Sequence, residues 1–321
     1  MGMQRAELVC RTPGVRLAAV CDTDPARCRE AAARFGCPAF RDYDALLAQS
    51  DCDCVYVMTP THLHLPMVER AAAAGRHVIL TKPMETTLAR AERIREVCRA
   101  AGVVLVVDHE LRYTPLMRQV HRAVHDGTLG EILNLEARLN WFRGPDYYRS
   151  TRGTRRGDGG GVFAIQAVHL LDQLIWLGGM PSRVQAHLAT LEKPIDVEDQ
   201  GVVLLRYPES RRRGVALAST LFGDDVEFGV VVTGTRGAVD TTRALHGMHR
   251  RAAEWFARPG VDWRVPPAPD GPESAVADLV SALRGHRPPQ CGAEVGLNCL
   301  RLLDAVYRSA AESPPVWADV K

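Results

Sequence analysis

The sequence predicts an α/β protein in two parts: a Rossmann-like, doubly wound parallel sheet, then an α+β domain on a mainly antiparallel open sheet. Three observations carry this. Apolar, β-branched runs alternate with helical patterns through about the first 110 residues. Beyond residue 180, strand-like runs follow one another without helices between them. The length of 321 residues exceeds the size at which one hydrophobic core usually stops growing. The expected division is 1–111 for a dinucleotide-binding domain and 112–321 for a substrate-binding and oligomerisation domain.

In the first part, residues 15–21, 54–58, 77–80 and 103–107 are near-continuously apolar, as strands buried on both faces are. Residues 25–35, 63–74 and 87–101 have helical spacing, and Gly36, Gly75 and Gly102 follow them where left-handed caps belong. Strand–helix alternation of this kind winds a right-handed parallel sheet. The phosphate-binding fingerprint G-x-G-x-x-G is incomplete: the opening Met1-Gly2-Met3-Gln4 supplies only its last glycine, Gly2, and the helix. The strand that should precede it is the central one in the 3-2-1-4 order. We therefore expect a start codon upstream of Met1.

The second part opens with a helix at 115–125 and a long strand at 132–142. Residues 161–177 read as one largely buried helix. Strands are expected at 183–190, 201–207, 214–221 and 228–232, with a Gly234-Thr235-Arg236-Gly237 turn before 238–240. Helices at 272–284 and 292–312 close the chain. Arg211, Arg212 and Arg213 read as a hairpin loop.

Composition excludes several functions. A formal charge of +2 leaves no footprint for nucleic acid or an anionic membrane. No apolar run reaches the roughly 18 residues of a membrane span, and no signal-peptide core opens the chain. The nine cysteines form no C-x-x-C pair and read as small hydrophobes in a reducing cytoplasm, with no metal site expected.

Four places carry chemistry. Asp22 ends the first readable strand, where an acid accepts hydrogen bonds from an adenosine ribose and repels a 2′-phosphate, favouring NAD over NADP; it reads equally as a turn residue before the helix start at Pro25. Thr59-Pro60 and His64 follow the second strand, where backbone lines a cofactor or simply turns. Lys82, in Thr81-Lys82-Pro83, ends the third. Only three of the 40 basic residues are lysines, and a desolvated lysine can exchange a proton where an arginine cannot. A lysine at that edge can hold a substrate oxygen while hydride moves. Finally, Gly159-Gly160-Gly161 precedes an apolar helix on which Gln166, His169 and Asp172 are spaced by three. A histidine there is a core residue or a substrate ligand.

Together and in this order these residues resemble the glucose–fructose oxidoreductase and inositol dehydrogenase family (Gfo/Idh/MocA). Its A-V-x-D-x-D matches 19–24, T-P-x-x-x-H matches 59–64, and A-G-K-H-V-x-x-E-K-P matches 74–83. R-[FY]-x-P matches 112–115, G-x-L-G-x-I matches 127–132, the G-G-G…H-x-x-D run matches 159–172, and G-T-x-G matches 234–237. The resemblance implies an NAD-dependent oxidoreductase acting on a secondary alcohol or ketone of a sugar, aminosugar, nucleotide sugar or cyclitol, working as a homo-oligomer. It implies Lys82 and His169 as catalytic residues, with Arg112, Tyr113, Arg152 and Gln166 near the substrate. Thr81 stands in place of the family's glutamate and Ile165 in place of the aspartate beside the histidine, so a Lys–Asp–His relay cannot be written. Those departures leave two alternatives open: a ligand-binding or regulatory relative without catalysis, and a redox-neutral enzyme using bound NAD transiently.

Overall fold

The computed structural model describes residues 2–148, 153–208, 211–242, 245–246, 249–250, 253–285, 287–312 and 316–321. The first part runs α1 (Gly2–Arg11), β1 (Val20–Cys21), α2 (Pro25–Phe35), β2 (Ala39–Phe40), α3 (Tyr43–Gln49), β3 (Cys54–Val57), α4 (His64–Ala73), β4 (His77–Thr81), α5 (Leu88–Ala100) and β5 (Leu105–Asp108). The second runs α6 (Pro115–His125), β6 (Ile132–Asn140), α7 (Pro145–Tyr148), α8 (Arg155–Asp158), α9 (Val162–Ile165), α10 (Val168–Gly178), β7 (Arg183–Ala189), β8 (Gln200–Arg206), β9 (Arg213–Ser219), β10 (Glu227–Gly234), β11 (Gly237–Asp240), β12 (Leu245–His246), β13 (His249–Arg250), β14 (Glu254–Ala257), α11 (Ala275–Leu283), α12 (Ala293–Ala311) and β15 (Ala318–Asp319).

Local chemistry sets the helix ends. The Asp24 side chain accepts from the Ala26 and Arg27 amides, Pro25 fills the first turn, and Gly36 closes α2 at φ 64°. Thr87 caps α5 and Thr114 caps α6 in the same way. All pairs in the first part are parallel, in two ladders: β1–β2, and β3–β4–β5 with Val57 opposite Leu80 and Leu80 opposite Val107. The strand expected over 15–21 pairs only at Val20 and Cys21, opposite Ala39 and Phe40 of β2.

The second sheet has eight strands in the order β14-β11-β10-β6-β9-β8-β7-β15. Every neighbour is antiparallel except β6 and β9, which run parallel from Asn134 opposite Arg213 to Asn140 opposite Ser219. The chain leaves β6, passes through α10 and the β7–β8 hairpin, and returns beside it, so it re-enters in the same direction. Along β8, Val203 and Leu205 are buried while Val202 and Leu204 face outward, the period of two of a sheet covered on one side. Of the three arginines expected in a hairpin loop, Arg211 is exposed between β8 and β9, Arg212 reaches back to the Gly178 carbonyl at the end of α10, and Arg213 is the first residue of β9, opposite Arg206.

The C-terminal helices tie the sheets together. α12 packs on α5, β5, β7 and α10, and α11 lies on β4 and β5. α10, buried along nearly its whole length, fills the space under the large sheet. The single helix expected over 161–177 is instead two, α9 and α10, and the helical path Arg155–Ile165 meets α10 at 55°. At the break both Gln166 N and Ala167 N bond to the Val162 carbonyl, so the regular i to i−4 ladder skips a residue. Among the described residues no single helix is long and apolar enough to cross a membrane.

Candidate active site

Parallel strands present their carboxyl ends along one edge. On that edge lie Asp22 after β1, Thr59 and Pro60 after β3, Lys82 after β4, and Asp108 and Glu110 at and after β5. The segment 159–169 descends on this edge from the second part. The Lys82 Nζ donates to the Ile165 carbonyl at 2.6 Å, joining the two parts at the bend between α9 and α10. Lys82 therefore meets the main chain of the residue whose side chain lacks the expected carboxylate.

His169 sits on the first turn of α10 with its ring 7 % exposed. Burial, reinforced by the nearby charges of Lys82, His109 and Arg5, lowers its pKa well below the ordinary value and keeps the ring neutral. Its Nδ1 makes no hydrogen bond among the described residues, and its edge meets the Phe228 ring at 6.2 Å. Gln166 donates to the Tyr147 hydroxyl at 3.0 Å, and its own Oε1 is buried without a partner among the described residues. The bend thus leaves a buried acceptor on Gln166 and an unpaired ring nitrogen on His169.

Asp172, one turn beyond His169, is shielded at 1 % exposure. Arg112 Nε and Nη2 grip its two oxygens at 2.7–3.0 Å, and the guanidinium stacks on Trp176 at 5.2 Å. Burial opposes both charges, yet each holds the other ionised: Asp172 stays below the usual carboxylate range and Arg112 is raised. Cys299 donates to Asp172 at 3.7 Å, and His109 Nδ1 lies 3.7 Å from it. His109, Asp172 and Cys299 have the mutual spacing of metal ligands. Asp172 already carries Arg112 on both oxygens, however, so a dication there would face a guanidinium with no water to screen it.

On the other side of Lys82, Tyr56 donates to Asp108, and Arg5 bridges Asp108 at 2.9 Å and Glu110 at 2.5 Å. Burial raises the Asp108 pKa against the pull of Arg5. Arg5 also places the first turns of α1 at this edge. A recess lined by Arg5, Asp108, Glu110, Tyr113 and Ser274 opens beside them.

The remaining residues expected at the site are distributed as follows. His64 starts α4 fully buried, with ring nitrogens 3.2 Å from the Met84 carbonyl and 3.0 Å from the Thr59 carbonyl, so it ties the two loops to each other. Thr59 Oγ1 is buried and unpartnered among the described residues. Asp22 accepts from the Asp24 amide at 2.9 Å, the turn geometry that was the other reading of this residue. Tyr113 turns away into a separate apolar cluster and donates to Asp278 at 2.9 Å. Arg112 is spent on Asp172. Gln166 no longer continues one helical face with His169, because the bend intervenes. Arg152 lies outside the described residues.

Sequence reasoning missed Glu110 and Glu198. Glu198 accepts from the Gly161 and Phe163 amides at 3.0 and 3.1 Å and from Tyr307 at 3.0 Å, clamping the glycine loop. A side chain at Gly161 would collide with the Glu198 carbonyl oxygen. Gly161→Ala is therefore expected to cost about 1–3 kcal/mol of stability by thermal unfolding. Glu110 had a signal, being a carboxylate just past the end of an apolar strand.

A dinucleotide fits these residues. Asp22 would hold the adenosine ribose, the α1 N-terminus the diphosphate, and the orphan Thr59 hydroxyl, with Pro60, would line the nicotinamide half. Residues 1–109 match the oxidoreductase family with an NAD-binding Rossmann fold, and residues 117–240 match the GFO/IDH/MocA C-terminal domain. The chain is 30% identical to a dTDP-3,4-didehydro-2,6-dideoxy-alpha-D-glucose 3-reductase of Streptomyces violaceoruber, over 85% of this chain and 79% of that one. It is 26% identical to an inositol 2-dehydrogenase of Rhizobium meliloti, over 97% and 94%. The crystal structure of the WlbA dehydrogenase from Bordetella pertussis, in complex with NADH and UDP-GlcNAcA, superposes with a TM-score of 0.83 at 30% identity, covering 95% of this chain and 91% of that one.

Proposed function

Because the chain belongs to the Gfo/Idh/MocA family of NAD-binding oxidoreductases, we propose that it moves a hydride between NAD and a secondary alcohol or ketone of a nucleotide sugar, sugar or cyclitol. One observation supports this above the others. The only lysine on the strand edge is held by the Ile165 carbonyl against a helix bearing a buried, neutral histidine. NAD, when bound, supplies the hydride acceptor or donor.

The chain's own groups supply the rest. The Lys82 ammonium holds the carbinol oxygen and steadies the negative charge it carries once its proton has left, or gains as hydride adds to the carbonyl. A neutral His169 is free to take the hydroxyl proton in oxidation, and the protonated ring returns it in reduction. Gln166 offers its buried Oε1 to a neighbouring hydroxyl. Arg112 and Asp172 act from behind, holding the first turns of α10. Lys82 and His169 also favour this reading over a ligand-binding relative, which needs neither.

The test is a panel of dTDP- and UDP-sugars, inositols and aldoses, with their keto forms, monitored by reduced-nicotinamide absorbance in both directions. Turnover of a member supports the proposal, and failure of the whole panel with both NAD and NADP counts against it. Asp22→Ala is expected to weaken NADH binding about tenfold, the equivalent of one charge-assisted hydrogen bond, and to narrow the preference over NADPH in calorimetric titration. Self-association belongs to the same proposal, with Val202, Leu204 and Phe256 presenting apolar surface on the open side of the sheet.

A further inference from the structure

Ile165 offers Lys82 a carbonyl and offers His169 no carboxylate, yet a carboxylate reaches the histidine from another element. Glu110 opens the short 3-10 turn Glu110–Tyr113 directly after β5. Its Oε1 lies 3.9 Å from His169 Nε2. The other oxygen accepts from Arg5 at 2.5 Å, so the carboxylate is tethered at one end and turned toward the ring at the other.

The separation has a physical reading. A distance of 3.9 Å exceeds a hydrogen bond. With the ring neutral and its proton on Nε2, that N–H faces the carboxylate across too wide a gap, and the lone pair lies at Nδ1, the buried nitrogen without a partner among the described residues. Once Nδ1 takes a proton the ring is a cation facing an anion, and the gap closes to a charge-assisted bond at Nε2. The other charged groups around the ring are Lys82 after β4, Arg5 on α1, His109 before the 3-10 turn, and Asp172 one turn along α10. The first three disfavour an imidazolium, and Asp172 is committed to Arg112. Phe228 of β10 brings no charge.

We propose that Glu110 is the positioning carboxylate of this site, taking the part left empty at Ile165 by receiving the Nε2–H of His169 when the ring takes the substrate's hydroxyl proton at Nδ1. The inference rests on the proposed hydride transfer. In the oxidative direction the carbinol C–H leaves with its electron pair for the oxidised nicotinamide, the O–H proton passes to His169 Nδ1, and the carbon becomes a ketone. Glu110 exchanges no atom. It lowers the energy of the imidazolium and fixes the ring's aim.

The test is Glu110→Gln beside Arg5→Met and Glu110→Asp, read in two ways. Histidine-labelled protein gives the His169 ring titration by NMR without any turnover. The pH dependence of kcat for oxidation gives the acid limb set by the base. Removing the anion makes the ring harder to protonate, so Glu110→Gln should move both the ring titration and the acid limb to lower pH. The plateau should fall about 10- to 100-fold, at or below the range of a group that itself transfers the proton. Removing the cation makes the ring easier to protonate, so Arg5→Met should move both to higher pH. Glu110→Asp should lie between wild type and Glu110→Gln, and decides the matter if the glutamine variant does not fold. A wild-type titration in Glu110→Gln, or shifts in the same direction for Glu110→Gln and Arg5→Met, overturns the proposal; the second result would mean that Glu110 only buttresses Arg5. If the wild-type chain turns over nothing, the hydride-transfer reading fails, while the ring titration still decides the role of Glu110.

Discussion

Lys82→Ala should lower kcat by about 10³-fold, within the range for loss of a group that steadies the developing oxyanion. KM should change far less, because the interaction is strongest after the substrate oxygen gains charge. The fold should survive. Lys82 follows β4 rather than filling its core, and the Ile165 carbonyl it donates to lies at a helix break where water can replace it. Lys82→Arg should rescue little. The guanidinium keeps a positive charge, but it is too broad for the point contact at Ile165. Steady-state kinetics on both variants, with thermal unfolding as control, checks this; near-wild-type turnover by Lys82→Ala would remove the lysine from the chemistry.

Asp172→Ala should produce the largest loss of stability in the chain, about 3–5 kcal/mol, because it strands the Arg112 guanidinium in a site with almost no exposure. Gln173 and Cys299 lose an acceptor in the same step. Replacing both partners by apolar residues should cost less than the single change, since no buried charge is then left alone. The pair also carries a pH signature. The folded pKa of Asp172 lies below its unfolded value of about 3.9. Its contribution is therefore full above that value and is lost as pH falls through the lower folded pKa. Denaturant unfolding at neutral and acidic pH should show the gap between wild type and Asp172→Ala narrowing at the acidic end.

The parts of the fold legible in the sequence are those that local chemistry decides. Asp24, Pro25 and Gly36 mark both ends of α2 because capping needs those residue types there. The apolar runs of β3, β4 and β5 read as strands because both of their faces are covered. What escaped is non-local or aperiodic. The break between α9 and α10 is invisible because its flanks are equally apolar, and the residue skip at Ala167 needs no glycine or proline. The parallel pairing of β6 with β9 depends on where two hairpins are inserted, which no strand pattern encodes. Arg112 and Asp172 are 60 positions apart, so only the fold shows that one occupies the other. Glu110 belongs to the same class: its relation to His169 exists only once β5 and α10 are set side by side.

The central claim is that this edge of the sheet moves hydride between NAD and a carbinol carbon. Its most direct measurement is to supply NADH deuterated at the transferable position of nicotinamide C4 to the keto-sugar panel and weigh the products by mass spectrometry. The account predicts one deuterium on the new carbinol carbon, with oxidised NAD formed in equal amount and both products formed about 10³-fold more slowly by Lys82→Ala. Reduction without deuterium in the sugar, or no consumption of NADH with any member of the panel, would contradict it.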